Sequence, residues 1–204
     1  EAASYHVVGR QMMERNLPEA PTSPSWILFD ARFHWRYPMG PLMPMIPDWM
    51  HAPEVREILV KTRSWDEMAD RLGIDRDVLH ATISRFNSNA SRGEDPDFER
   101  GYNPYDRYYG DPKVTPNPNL LPLEKAPFYA LPIFPGDIGT NGGLATNGNA
   151  QVLDDAGKPL AGLYAIGNTS ASVMGPSYPG AGATIGPAMT FGYLAGRHIT
   201  GANR

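Results

Sequence analysis

A tyrosine and three glycines lie close together near the C-terminus, in an arrangement suited to binding a carbonyl oxygen or an anion. Gly180, Gly182 and Gly186 follow Tyr178, and the stretch 183–199 carries small and apolar residues at helical spacing. A phenol hydroxyl donates a hydrogen bond, and the first N–H groups of a helix lack partners within that helix. Glycines also leave room for a flat ring system against the backbone. The pattern predicts donors directed at a negatively charged or carbonyl oxygen at a helix N-terminus.

A short strand and a polar loop precede these residues. The run 163–166 is apolar and is flanked by Gly162 and Gly167, which is typical of a strand buried on both faces. The polar segment 168–170 follows it directly. The glycines at 180–186 are spaced one residue too widely for a dinucleotide-binding fingerprint and do not follow a strand. A glycine-rich turn before a closely packed core helix remains the alternative interpretation of this stretch.

These motifs resemble a known family. The segments 168–175, 177–182 and 184–193 are similar to the C-terminal end of the 3-ketosteroid delta-1-dehydrogenases, which belong to the flavoprotein group that includes fumarate reductase. Further segments that resemble this family occur upstream in the same order, at 29–32 with 36–37, and at 106–112, 116–120 and 135–140. The resemblance therefore covers nearly the whole chain.

The resemblance implies a reaction and a set of site residues. It implies FAD-dependent 1,2-desaturation of a 3-ketosteroid, with a proton taken from C2 and a hydride passed from C1 to flavin N5. Tyr178, by its hydroxyl, and Gly182, by its N–H, match the positions that hold the C3 oxygen, and Tyr37 matches the proton-abstracting tyrosine. The residues expected near FAD are Gly142, Gly143, Asn168, Thr169, Ser170, Ala183, Thr184 and Ile185. Polar loop residues that only satisfy their own backbone are the alternative.

The family also implies the fold class and the domain organisation. The expected architecture combines α+β and α/β parts, with a substrate-binding, catalytic domain over 1–135. The segment 136–204 is expected to be the C-terminal return into an FAD-binding, Rossmann-like domain. No strand in this chain runs into the G-x-G-x-x-G fingerprint that holds the ADP half of FAD. We therefore expect the chain to need an N-terminal FAD-binding segment or a partner chain.

Local patterns predict individual elements. Ser64 and Glu67 form a capping-box pattern that opens a helix through Leu72, and Asp75 caps a longer helix to about Ala90. An irregular connector is predicted over 93–123. Strands are predicted at 26–30, 128–133, 143–146 and 151–154, the last two joined by a turn at 147–148.

Composition excludes several classes of function. A net charge of −4 gives no basic surface for nucleic acid, and the absence of cysteine excludes disulfides and thiol chemistry. The five histidines show no metal-ligand spacing, so no metal site is predicted. No apolar run is long enough to cross a bilayer. A cytoplasmic location is expected, and association with a membrane surface is left open.

Two other functions compete with steroid desaturation. A fumarate-reductase-like flavoprotein acting on a carboxylic acid would need arginines to clamp the carboxylates, and no arginine lies between Arg107 and Arg197. A non-catalytic module, either a fragment or a subunit that binds sterol or another chain, would also lack the ADP-binding segment. The uncharged ketone fits the residues around Tyr178 better than a dicarboxylate does.

Overall fold

The computed structural model describes residues 5–136 and 139–202, and the chain divides into two compact units, Glu1–Pro135 and Gly136–Arg204. The first unit contains six α-helices, a 3₁₀ helix (Asp48–Met50) and three strands among its described residues. The α-helices and strands are α1 (Tyr5–Glu14), β1 (Ser25–Asp30), α2 (Ala31–Arg36), α3 (Pro53–Ile58), β2 (Val60–Thr62), α4 (Trp65–Leu72), α5 (Arg76–Arg92), α6 (Pro104–Tyr109) and β3 (Phe128–Ile133). A substrate-binding role for this unit stays a prediction.

The core of the first unit lies on both faces of an antiparallel sheet with the strand order β1–β3–β2. Side chains of β3 alternate between the faces, as successive residues of a strand must. Phe128 and Ala130 pack with buried residues of α4 and α5, whereas Tyr129 and Leu131 pack with Phe29 on the other face. The burial of both faces explains why 128–133 is almost continuously apolar.

The two predicted helix caps are confirmed. The Ser64 hydroxyl accepts a hydrogen bond from the Glu67 N–H at 3.2 Å, and the Asp75 carboxylate accepts one from the Val78 N–H at 3.0 Å. The Glu67 carboxylate reaches back to the Arg63 N–H at 3.0 Å, one residue before the cap. Caps of this kind satisfy donors that the first helical turn leaves without partners.

The prediction of an irregular connector over 93–123 is wrong in one place, because α6 lies within it. Asn103 caps this helix by accepting the Asp106 N–H at 2.8 Å. Farther along the connector, the buried Asn117 amide donates to the carbonyl oxygens of Gly93 and Arg100 at 3.1 and 2.8 Å. Side-chain hydrogen bonds therefore hold a segment that shows no apolar periodicity.

The second unit contains β4 (Gln151–Leu153), β5 (Pro159–Tyr164), a short 3₁₀ helix (Gly167–Thr169) and α7 (Ile185–Ile199). β4 and β5 form a two-stranded antiparallel sheet. The predicted strand at 143–146 is wrong. Leu144 makes an isolated parallel bridge to Ser170, and Thr146 makes an antiparallel bridge to Val152. The segment changes partner after each bridge, so no continuous ladder forms.

The prediction of a strand buried on both faces at 163–166 is also wrong for this chain. β5 ends at Tyr164, and its residues from Pro159 to Leu163 are exposed, since no second layer of the described chain covers them. α7 likewise presents an exposed apolar stripe, with Ile185, Met189 and Tyr193 at 63%, 70% and 66% exposure. Their spacing of four residues places them on one side of the helix.

Candidate functional site

A small cavity in the second unit, open to solvent, brings together several residues of the predicted site. Five of the predicted residues line it: Asn168, Ser170, Tyr178, Ala183 and Thr184. Tyr178 is half-buried there. The loop at 168–170 and the segment at 178–184 therefore line the same cavity.

The polar loop on one side of the cavity is shaped by its own backbone. Gly167 has a φ of 59°, a conformation that favours glycine, and its carbonyl oxygen accepts the Ser170 hydroxyl at 2.9 Å. Asn168 lies against Gly139, where an added Cβ would be 3.3 Å from the Asn168 side-chain nitrogen. These contacts turn the loop after β5 toward the start of α7.

The other side of the cavity is the entry to α7. Before the helix begins at Ile185, a turn forms in which the Ala183 N–H donates to the Gly180 carbonyl oxygen at 3.1 Å. The Gly186 N–H donates to the Gly182 carbonyl oxygen at 2.8 Å. Among the described residues, the Gly182 N–H makes no backbone hydrogen bond, and Gly182 has a φ of 92°. No side chain caps the helix, so this end can donate to a ligand.

The described wall of the cavity combines apolar residues with uncharged polar ones. Four polar residues that the sequence did not single out also line it, namely Thr140, Asn141, Ser172 and Ser177. Its described lining contains no lysine, arginine, histidine, aspartate or glutamate. The residue types of the four polar residues did not indicate a binding site, because hydroxyl and amide side chains are common in loops. Such a wall suits a neutral ring system with carbonyl groups better than a charged ligand.

Five other predicted residues do not line this cavity: Gly142, Gly143, Thr169, Gly182 and Ile185. The Thr169 carbonyl oxygen accepts the Leu144 N–H at 2.9 Å, and the Ile185 side chain is exposed. Gly182 immediately precedes Ala183, which does line the cavity. A role for these five residues in binding FAD or the C3 oxygen stays a prediction.

Tyr37 lies in the first unit, where it is half-buried. Its hydroxyl donates to the Asp111 carboxylate at 2.6 Å. Burial and this hydrogen bond raise the pKa of Tyr37, while Arg36 opposes the shift. The phenol therefore keeps its proton at neutral pH in the observed arrangement.

A polar cluster behind Tyr129 was not predicted. The Asp48 carboxylate contacts His34 Nε2 at 2.7 Å and Lys61 Nζ at 2.5 Å, and accepts the Tyr129 hydroxyl at 3.4 Å. Burial would raise the pKa of Asp48, but the hydrogen bonds from Lys61 and His34 outweigh it and lower that pKa. Asp48 thus ties its loop to α2, β2 and β3. No spacing in the sequence indicates this cluster.

The described part of the chain shows no metal-binding centre. It contains no group of three or more histidines, cysteines or acidic residues arranged to hold one. None of its helices is both long and apolar enough to cross a membrane.

Comparison with known proteins identifies several similar chains. The profile of a family described as "FAD binding domain" matches residues 1–185. A 3-oxosteroid 1-dehydrogenase of Mycobacterium tuberculosis is 48% identical over 86% of this chain, and a 4-oxocyclohexanecarboxylate 2-dehydrogenase of Sinomonas cyclohexanicum is 44% identical over 98% of it. The crystal structure of a 3-ketosteroid delta1-dehydrogenase from Sterolibacterium denitrificans, in complex with 1,4-androstadiene-3,17-dione, superposes with a TM-score of 0.90 at 43% identity over 99% of this chain.

The chain spans about a third of the proteins that it matches. The aligned part is 31% of the Mycobacterium protein, 34% of the Sinomonas protein and 36% of the Sterolibacterium chain.

The residues around the cavity fit the ring system of FAD. The small residues at 180–183 leave the protein backbone there accessible to a ligand. The start of α7, which no side chain caps, favours negative charge. The hydroxyl and amide groups of the wall can pair with ring carbonyl and N–H groups.

Proposed function

The chain belongs to the FAD binding domain family, and on this basis we propose that it is part of an FAD-dependent dehydrogenase that desaturates 3-ketosteroids between C1 and C2. The observation that carries the proposal is the cavity in which Tyr178 meets the residues at the start of α7, whose described lining carries no charged side chain. A 3-ketosteroid is an uncharged, flat substrate whose reactivity depends on its carbonyl oxygen.

The residues of this chain act on the C3 oxygen. A proton leaves C2 readily only when the C3 carbonyl can become an enolate, so donors must be directed at that oxygen. We assign the Tyr178 hydroxyl and the Gly182 N–H to this role. Donors placed where the charge develops are worth about 3–4 kcal/mol each. When bound, FAD supplies the acceptor for the hydride that leaves C1.

We propose Tyr37 as the group that takes the C2 proton, on the resemblance of 29–32 and 36–37 to the family. Its pairing with Asp111 sets a condition on this role. A phenol with a pKa of about 10 is almost fully protonated at neutral pH, and the observed pairing, which raises the pKa of Tyr37, leaves even less of it deprotonated and able to accept a proton. Tyr37 must therefore lose the influence of Asp111, or gain another donor, before it can act.

Replacing Asp111 with Asn tests this condition. Because the Asp111 carboxylate raises the pKa of Tyr37, Asp111→Asn is expected to lower that pKa. The limb of the pH–rate profile on which activity rises with pH should then move to lower pH in the full-length protein, and activity at neutral pH should rise. Tyr37→Phe is the matched variant. It should lose most of the activity, and the activity that remains should no longer rise with pH through the pKa of Tyr37. Unchanged profiles in both variants would leave Tyr37 with a structural role only.

We propose a steroid in preference to a ketone that carries a carboxylate. The relatives include enzymes named for both kinds of substrate, and the two kinds differ in charge. Carboxylates are normally bound by arginine or lysine. The wall around Tyr178 has no cation among its described residues, which favours the uncharged substrate.

We also propose that an N-terminal FAD-binding segment, in the same polypeptide or in a partner chain, covers the exposed side of the second unit. The exposed stripe on α7 and the exposed strand β5 support this proposal, since apolar surface of this kind marks an interaction site. The ADP half of FAD would be held by that segment.

Anaerobic reduction of FAD in the full-length protein tests the proposed function. Androstenedione is expected to bleach the flavin band at about 450 nm within the time of turnover. 4-Oxocyclohexanecarboxylate at equal concentration should bleach it far more slowly, because the described lining around Tyr178 offers its carboxylate no cation. Faster reduction by the carboxylate would reject the steroid assignment. A purified full-length protein that binds no flavin would reject the proposed function as a whole.

A further inference from the structure

Two backbone segments of the second unit approach each other closely at Gly143. A Cβ built on Gly143 would lie 2.5 Å from the Ser170 carbonyl carbon and 2.7 Å from both the Ser170 oxygen and the Ala171 nitrogen. All three atoms belong to the backbone, so no side-chain rotation could relieve the clash. Any residue other than glycine would therefore push the segments apart.

Three hydrogen bonds join the same two segments. The Leu144 N–H donates to the Thr169 carbonyl oxygen at 2.9 Å, and the Ala171 N–H donates to the Leu144 carbonyl oxygen at 2.9 Å. The Ser172 N–H donates to the Asn141 carbonyl oxygen at 3.0 Å. We call this arrangement, residues 141–144 bonded to residues 169–172, the Gly143 clamp.

The Gly143 clamp carries part of the cavity wall. Thr140 and Asn141 line the cavity on one side of it, and Ser170, Ala171 and Ser172 line it on the other. Gly143 itself does not line the cavity. We propose that Gly143 is a positioning residue, which holds the Thr140–Asn141 wall in place by close backbone approach and not by contact with FAD. The clamp is independent of the proposed function, but its effect on turnover rests on that function.

Gly148 provides a matched control. It lies four residues after the clamp segment 141–144, an added Cβ would meet no atom within 4 Å, and its φ is outside the left-handed region. A methyl group at position 148 should therefore leave the structure unchanged, while the same group at position 143 opens the clamp.

The test compares Gly143→Ala with Gly148→Ala in the full-length, FAD-loaded protein. Amide hydrogen exchange in 141–144 and 169–172 is expected to quicken by about tenfold or more in Gly143→Ala, with other segments unchanged. The kcat/KM for androstenedione should fall by about tenfold or more, with the FAD absorption band shifted, because the wall near Tyr178 moves. Gly148→Ala should match the wild type in exchange, kcat/KM and spectrum.

The two readouts separate the clamp from the proposed function. Unchanged exchange in Gly143→Ala would overturn the clamp. Faster exchange with unchanged kcat/KM and spectrum would overturn its link to the cavity. Faster exchange in a protein whose wild type has no desaturase activity would support the clamp and reject the proposed function. If Gly143→Ala does not fold, hydrogen exchange in the wild-type protein still tests the clamp. Rapid exchange of the Leu144, Ala171 and Ser172 amides would contradict it.

Discussion

Tyr178→Phe is expected to lower kcat for steroid desaturation in the full-length protein by about 10²–10³-fold, with FAD still bound. The substitution removes a single hydroxyl from a half-buried ring on the cavity wall and retains the ring itself. The lost hydroxyl is one of the two donors that we assign to the C3 oxygen, where negative charge grows as the C2 proton leaves. The measurement is steady-state turnover of androstenedione, with FAD content taken from the flavin absorbance.

Tyr108→Phe is the control for this prediction. Tyr108 is 82% exposed and lies outside the cavity, so removing its hydroxyl should not change turnover. Near-normal activity in Tyr178→Phe would refute the assigned role. Loss of FAD together with activity would instead show that Tyr178 supports cofactor binding, and the assignment to the C3 oxygen would then be wrong.

Asp30→Ala is expected to destabilise the protein by about 3–5 kcal/mol. Asp30 is fully buried at the end of β1, and its carboxylate accepts the Phe33 N–H at 2.9 Å, which caps α2. The same carboxylate accepts the N–H groups of Glu124 and Lys125 at 3.2 and 3.1 Å, and Arg32 lies 3.6 Å away. Its removal leaves three backbone N–H donors without their acceptor and takes away the carboxylate beside the partly buried Arg32 guanidinium. Denaturant unfolding of the full-length protein measures the loss.

Asp75→Ala is the matched control, because Asp75 also caps a helix but is exposed. Its loss should cost only about 1 kcal/mol, the usual value of an exposed cap. Equal losses in the two variants would show that the bonds from Asp30 to residues 124 and 125 contribute nothing to stability.

Strong local signals predicted part of the fold. The strand at 128–133 has the predicted bounds, and α4 and α5 begin after the predicted caps. A continuous apolar run and a capped, periodic stretch are set by neighbours in sequence. Tertiary contacts were not needed to recognise them.

Shorter elements escaped prediction for a physical reason. α2, α3 and α6 have six residues each, which is too short for a clear apolar period and too short to be stable alone. Asp30 and Asn103 cap two of them, but such residues are also common in turns. The bonds from Asp30 to residues 124 and 125 join positions more than ninety residues apart, so no local pattern contains them.

For the site, residue types indicated the chemistry but not the arrangement. The motif around Tyr178 and the glycines pointed to donors at a helix start, and the structure places Tyr178 with Asn168, Ser170, Ala183 and Thr184. Thr140 and Asn141 also line the cavity, although they were not among the individual residues expected near FAD. The cluster around Asp48 had no sequence signal at all.

By itself the sequence determined the elements that depend on adjacent residues, together with the order of strand, polar loop and glycine-rich helix start. Only the tertiary structure decided which loops meet, since the approach of Gly143 to Ser170 joins segments 27 residues apart through backbone atoms that any sequence possesses. It also showed that the apolar strand β5 is exposed in this chain. Apolar composition predicts a tendency to be buried, but burial itself requires a second surface.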